Sequence, residues 1–150
     1  MRARREANYD VVAEYLSLSE PESIGCFSED VVKELTFATF NPEWKPCRIL
    51  GRKALMDAWR ANGHRAPKYK WTDCEVFSTQ DPDRFWVHTG IEGYIENESG
   101  EKVEYSHPDY ILFFVVKDQK IVELKQIMNP LRWMKSAGLI GANPETIRFP

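Results

Sequence analysis

The sequence predicts an α+β fold in which N-terminal helices pack on a curved, mainly antiparallel sheet. Three observations predict it. Apolar residues in the first part of the chain recur at helical spacing. From residue 69 onward they recur at the two-residue spacing of strands. The links between those later strands are short and turn-like, which joins neighbours antiparallel. Helices that lead into such a sheet cover one of its faces, and a sheet curled around them leaves a conical cavity open at one end. The 150 residues fit one domain, 1–150, long enough to bury a single core.

Taken in order, residues 7–18 set Val11, Val12, Tyr15 and Leu16 on one side of an amphipathic helix. Ser19-Glu20-Pro21-Glu22 reads as a capping box, with proline early where its missing N–H costs nothing. It opens a short second helix that ends near Gly25. Residues 31–38 alternate, with Val31, Lys33, Leu35 and Phe37 on one face and Val32, Glu34, Thr36 and Ala38 on the other. Two prolines make 41–46 a loop, and 47–50 is a brief extended piece. Residues 51–62 return to helical spacing, with Leu55, Ala58, Trp59 and Asn62 on one side and Gly63 as the C-terminal cap.

Four strands follow, over 69–79, 85–96, 103–116 and 121–128. The first pair is joined by Gln80-Asp81-Pro82-Asp83, where Pro82 fixes φ and the Asp81 side chain can bond its own downstream backbone. Residues 110–116 are apolar on both faces, which marks a central strand covered on each side. Asn129-Pro130 stops the last strand, 131–137 form a short helix, and 141–150 run extended along the body or a partner subunit. There is no internal repeat and no linker.

Composition narrows the function. A net charge of −3 and a pI near 5.7 give no electrostatic footprint for nucleic acid. Arg2, Arg4 and Arg5 form a short basic cluster, read as a solvated lead-in to the first helix. No apolar run is long enough for a membrane span, and no signal-peptide pattern opens the chain. Cys26, Cys47 and Cys74 suit reduced thiols, so a cytoplasmic location is expected. Five Trp, six Tyr and eight Phe offer core area and, equally, walls for a small-molecule pocket.

Strong catalytic motifs are missing. No glycine-rich loop follows a strand, and no Gly-x-Ser-x-Gly elbow occurs. His64, His88 and His107 have no neighbouring ligand at metal spacing, so neither a metal nor a cofactor is expected. Chemistry would fall to scattered acid–base or hydrogen-bonding side chains in the cone.

The stretch 77–87, a strand, an Asp-Pro turn and Phe85-Trp86-Val87, resembles the phenazine-biosynthesis A/B (PhzA/PhzB) family. That family lies within the nuclear transport factor 2-like, or SnoaL-like, group. The resemblance runs from the first helix to Met128-Asn129-Pro130 and the helix after it, without gaps over 51–82 and 109–129. It implies the same cone. It also implies a pocket in which a glutamate two residues before the Met-Asn pair serves as general acid/base in imine formation. Here that position is Gln126. A pocket histidine and serine fall on Ala58 and Asn62, and a pocket tyrosine on Ser106. An amide donates and accepts hydrogen bonds but cannot exchange a proton at neutral pH, so the family's proton shuttle is replaced.

Other groups must then be weighed. Asp109 opens an otherwise apolar strand; in the cavity its pKa would rise, whereas a bulge or strand edge at Pro108 would leave it on the rim. His107 is the second acid–base candidate, or an ordinary strand-end residue. His88 reads as a surface or dimer-facing side chain. Gln126, Asn62, Ser106, Trp59, Tyr110 and Tyr15 are the substrate-binding candidates, although core packing also accounts for the aromatic ones.

Two functions compete. One is a cofactor-free enzyme of secondary-metabolite, including antibiotic, biosynthesis. It would isomerise, dehydrate, cyclise or condense a small cyclic or aromatic carbonyl compound. The other is a catalytically silent partner that holds a reactive intermediate. A structural dimer with no small ligand is the remaining reading. Convergence of Gln126, Asn62, Ser106 and Asp109 on one cavity would favour ligand handling, and a solvent-facing Asp109 would weaken catalysis. A homodimer is expected, because the apolar outer side of the central strand needs a cover that one chain lacks.

Overall fold

The computed structural model describes residues 1–36, 46–61, 68–96 and 99–132. Helix α1 spans Arg2–Ser17, a 3-10 helix Glu22–Cys26, strand β1 Phe27–Leu35, β2 Cys47–Leu50 and helix α2 Arg52–Ala61. Strands β3 (Lys68–Ser78), β4 (Arg84–Glu96), β5 (Lys102–Lys117) and β6 (Lys120–Ile127) follow. They form one six-stranded sheet in the order β2-β1-β6-β5-β4-β3. Only the β1–β6 pair is parallel, with Lys33 opposite Leu124 and Leu35 opposite Gln126. That pair joins the two ends of the chain, a link no short turn could announce.

The helices sit on one face of this curved sheet. Val12, Tyr15, Phe27, Leu55, Phe85, Val87, Leu112 and Phe114 are at most 2% exposed and form its core. Each such side chain contributes about 1.5–3 kcal/mol by leaving water.

Helix α1 starts five residues earlier than helical spacing alone suggests, and its arginines are the reason. Arg4 pairs with Asp83, and the Arg5 guanidinium donates to the carbonyls of Thr79 and Gln80, each at 3.1 Å. Asn8, 3% exposed, donates to Asp83 Oδ1 at 2.9 Å and to the Pro82 carbonyl at 3.2 Å. Arg4 and Arg5 therefore clamp the Asp-Pro turn, which corrects the expected solvated lead-in for these two, while Arg2 stays in solvent and pairs with Glu6 at 2.9 Å. The turn itself forms as expected: Asp81 Oδ1 accepts the Asp83 N–H at 2.9 Å. Glu22 reaches back to Ser19, accepting from its N–H at 3.4 Å and its hydroxyl at 2.8 Å, but the 3-10 helix begins after Pro21 with no side-chain cap bond, so the expected capping box forms only in this one arm.

Strand β5 is central, as its apolar run predicts, but its two faces differ. Leu112, Phe114 and Val116 point into the core, whereas Phe113 is 41% exposed on the outer face. There it stacks on Trp86 at 6.1 Å, and Trp86 contacts Phe77 at 5.1 Å. The helices among the described residues cover one side only, and among those residues the cover expected on both sides is not found.

A bulge in β5 shapes the concave face. Thr89 pairs with Tyr110 and Ile91 with His107, so Pro108 and Asp109 together face Gly90. Two residues opposite one shift the alternation by a step. Tyr105 and His107 point inward before the bulge, and Tyr110, Leu112 and Phe114 point inward after it.

Candidate functional site

The inner surface of the cone carries a connected wall of rings. Trp71 meets Tyr15 at 6.2 Å, Tyr69 at 5.0 Å and Tyr110 at 5.5 Å, and Tyr110 meets His107 at 5.0 Å. Helix α2 adds Trp59, which is half-buried and packs against Phe27 at 6.3 Å. Polar atoms are set into this wall. The hydroxyls of Tyr105 and Tyr110 are 2.6 Å apart, and the buried hydroxyl of Tyr15 has no hydrogen-bond partner among the described residues. Burial pushes Tyr15, Tyr69, Tyr105 and Tyr110 above the ordinary phenol pKa. They remain protonated donors at neutral pH.

Gln126 is half-buried opposite Leu112, a core residue, and so shares the inner face. Of the other binding candidates, Trp59, Tyr15 and Tyr110 also lie on this side. Asn62 lies outside the described residues. Ser106 is a correction. It is exposed, because alternation between inward Tyr105 and His107 turns it outward, and its carbonyl accepts from Arg132 at 3.3 Å.

His107 is 3% exposed at the edge of the ring wall. Its Nδ1 is 3.1 Å from the amide nitrogen of Asp109, and its Nε2 is 3.3 Å from that of Asn129. A neutral imidazole has one acceptor nitrogen, so one amide bonds it at a time and the other nitrogen carries the proton. Burial first, and then the Arg132 guanidinium, hold its pKa below the ordinary value. The ring is neutral at pH 7.

Asp109 lies on the other side of the bulge, its side chain 74% exposed. The placement inside the cavity is corrected to the rim, for the reason Pro108 suggested. Its Oδ1 is 3.3 Å from His88 Nε2, and His88 Nδ1 is 3.5 Å from Glu75. The hydrogen bond to Asp109, then the one to Glu75, raise the His88 pKa. His107, Asp109, His88 and Arg132 all line an open groove of about 630 Å³ around the bulge. The two acid–base candidates thus adjoin one groove from opposite faces, and only His107 also belongs to the ring wall. Gln126, Ser106 and Asp109 do not converge on one cavity.

Sequence reasoning missed one pair. Lys33 is 4% exposed on the inner face of β1, and its ammonium lies 2.6 Å from a carboxylate oxygen of Glu20. The same ammonium sits 5.6 Å from the centre of the Trp59 ring. The signal was available, because Lys33 stands among Val31, Leu35 and Phe37 on the apolar face of the alternation. Among the described residues there is no group of three or more side chains fit to hold a metal ion.

A helix-filled, strongly curved sheet with a ring-lined inner face defines the α+β cone of the nuclear transport factor 2-like, or SnoaL-like, proteins. Within that class, the phenazine biosynthesis protein A/B family model matches residues 2–147, and the chain belongs to that family. A curated relative, phenazine biosynthesis protein PhzA of Pseudomonas fluorescens, is 29% identical over 79 residues. That match covers 49% of this chain and 44% of the relative, so it spans under half of the relative's length. Among solved structures, the phenazine biosynthesis-related protein PhzB2 of Pseudomonas aeruginosa superposes with a TM-score of 0.76 at 22% identity. The superposition covers 97% of this chain and 91% of that one. A protein assigned as a polyketide cyclase from Xanthomonas campestris gives 0.71 at 17% identity, covering 89% and 98%. At these identities the superpositions establish the fold alone.

Proposed function

We propose that this protein is a cofactor-independent enzyme of secondary-metabolite biosynthesis. Its substrate would be a small cyclic or aromatic carbonyl compound bound in the cone. The observation that carries the reading is the inner wall itself, flat rings interrupted by protonated phenol donors and one neutral imidazole. Trp71, Tyr69 and Tyr110 would stack on a planar ring. A phenol donor such as Tyr110 would hold the carbonyl oxygen and stabilise charge that develops there. His107 would take the proton beside the carbonyl and return it elsewhere, the common core of isomerisation, dehydration and cyclisation. Gln126 would hold a substrate oxygen or nitrogen through its amide.

The experiment needs no natural substrate. 1-Tetralone in D₂O exchanges the protons next to its carbonyl, and NMR follows the exchange. The protein should accelerate it above the buffer rate, and His107→Ala should lose about 10²–10⁴-fold of that acceleration. Exchange at the buffer rate with wild-type protein, or undiminished exchange in the variant, would sink the assignment.

The alternative is a silent binding partner. Gln126 at the position of the family's acid–base group and the outward Asp109 both favour it. Exchange that appears only in Gln126→Glu would decide for that reading. In either case the partner expected on the outer aromatic face is a second copy of the chain.

A further inference from the structure

The outer face of the sheet carries a cluster of ionisable groups beside its exposed rings. Phe77, Trp86, Phe113 and Lys125 stand opposite one another across β3 to β6, and the next row on the same face is Glu75, His88, Ile111 and Ile127. His88 lies between two carboxylates. Its Nδ1 is 3.5 Å from Glu75 on β3, and its Nε2 is 3.3 Å from Asp109, which the β5 bulge turns outward. Around them, Arg132 and His107 line the same groove, Lys125 closes the ring row, and Glu92 stands opposite Lys70 further along β4. Ile111, Ile127 and Met128 give the groove an apolar lining that continues the ring stack.

We propose that Glu75, His88 and Asp109 form a proton-linked latch on the face where a second copy of this chain docks, so that the two copies hold each other more tightly as pH falls. This rests on the reading of the outer aromatic face as the seat of a second copy. A neutral imidazole has one N–H and can donate to one carboxylate only, which leaves its lone pair facing the other. An imidazolium donates to both, and the cluster drops from two net negative charges to one. In water the difference is small, because solvent screens exposed pairs. A second copy laid over the rings removes that water, so the interaction between imidazolium and carboxylates grows and an unpaired carboxylate becomes costly. Docking therefore favours the protonated ring, and by reciprocity protonation favours docking. The sign follows from the groups themselves. The bond to Asp109, then the one to Glu75, already raise the His88 pKa in the single chain, and cover raises it further. Affinity is full below the single-chain pKa and falls as pH rises from there to the pKa of the docked state.

The test is fluorescence-detected sedimentation of the full chain over a dilution series at two pH values. Between about pH 6 and pH 8.5 the dimer Kd of wild type should rise at least tenfold. His88→Gln keeps a polar side chain without a titrating ring, and its Kd should stay within about threefold over the same range. Glu75→Gln should flatten the dependence as well, because the ring then has one carboxylate fewer to answer. A pH dependence that persists undiminished in His88→Gln overturns the latch, since it would report only the overall charge of the chain or another group such as His107. So does a wild-type Kd that is unchanged or lower at the alkaline pH, including a dimer that stays intact throughout both series. If His88→Gln does not fold, the Glu75→Gln series decides. A dimer without pH dependence sinks the latch and leaves the docking face standing, whereas a wild-type monomer at both pH values sinks the two together.

Discussion

Pro108 and Asp109 share one cross-strand position, and the acid–base assignment on β5 depends on that extra residue. Without it, strict alternation would put His107 and Tyr110 on opposite faces. With it, both point inward and Asp109 points out. Replacing Asp109 by Asn should therefore change tetralone exchange by less than about threefold, far from the 10²–10⁴ expected for an acid–base group. The two histidines of this region should leave opposite marks on stability. His107 is held below its ordinary pKa, so below about pH 6.5 the unfolded chain binds a proton that the native chain resists. Its contribution is complete above that pH and is lost as pH falls through the folded pKa. His88 is raised, so its contribution is complete below about pH 6.5 and is lost as pH rises through its folded pKa. Thermal melts across pH 5–8 should show a flatter acid limb in His107→Gln and a flatter alkaline limb in His88→Gln. An acid limb of unchanged slope in His107→Gln would contradict this account.

At the scale of elements, two contacts hold the cone's frame. Asn8 binds α1 to the turn between β3 and β4 through Asp83 and the Pro82 carbonyl. Asn8→Ala should cost about 1–3 kcal/mol, because a buried carboxylate oxygen and carbonyl lose their donor. Gly93 pairs with Tyr69 where β4 runs beside β3. A Cβ there would come within 2.7 Å of the Tyr69 Cα and would also collide with the Lys68 carbonyl. Both neighbours are backbone, so the strands themselves must part. Gly93→Ala should lower Tm by roughly 5–15 °C in a chain of this size, and an unchanged melt would show that the strand edge yields freely. The β3–β4 hairpin was legible from Asp81-Pro82 because a turn is a local event. The true start of α1 was not, since it rests on contacts between residues 74 to 79 positions apart.

Among the described residues, a broad apolar surface lies open on the outer face of the sheet. Phe77, Trp86 and Phe113 are 42%, 40% and 41% exposed and form a continuous ring stack on the outer face of the sheet. Arg84, Lys125, Glu123 and Glu34 line an adjacent groove of about 690 Å³. An aromatic centre with a rim of both charges suits a self-complementary contact about a two-fold axis. Sedimentation at micromolar concentration should report twice 17.5 kDa, and Trp86→Ser with Phe113→Ser should return the monomer. A wild-type monomer would leave this face without its proposed partner.

The α+β class, the order of the elements, the antiparallel hairpins and the central place of β5 can all be read from periodicity and turn chemistry. These are properties of residues near one another in the chain, and so they are already present in the order of the amino acids. The resemblance carried by residues 77–87 led to the family in the same way. Which polar groups meet inside the cone was decided by the tertiary structure. The single extra residue at Pro108-Asp109 moved Asp109 out. The parallel pairing of β1 with β6 set Lys33 beside Leu124, and the turn after α1 brought Glu20 to its ammonium. Each outcome depends on pairings between distant segments, whose register is fixed by packing the whole sheet and leaves only a faint trace in local spacing.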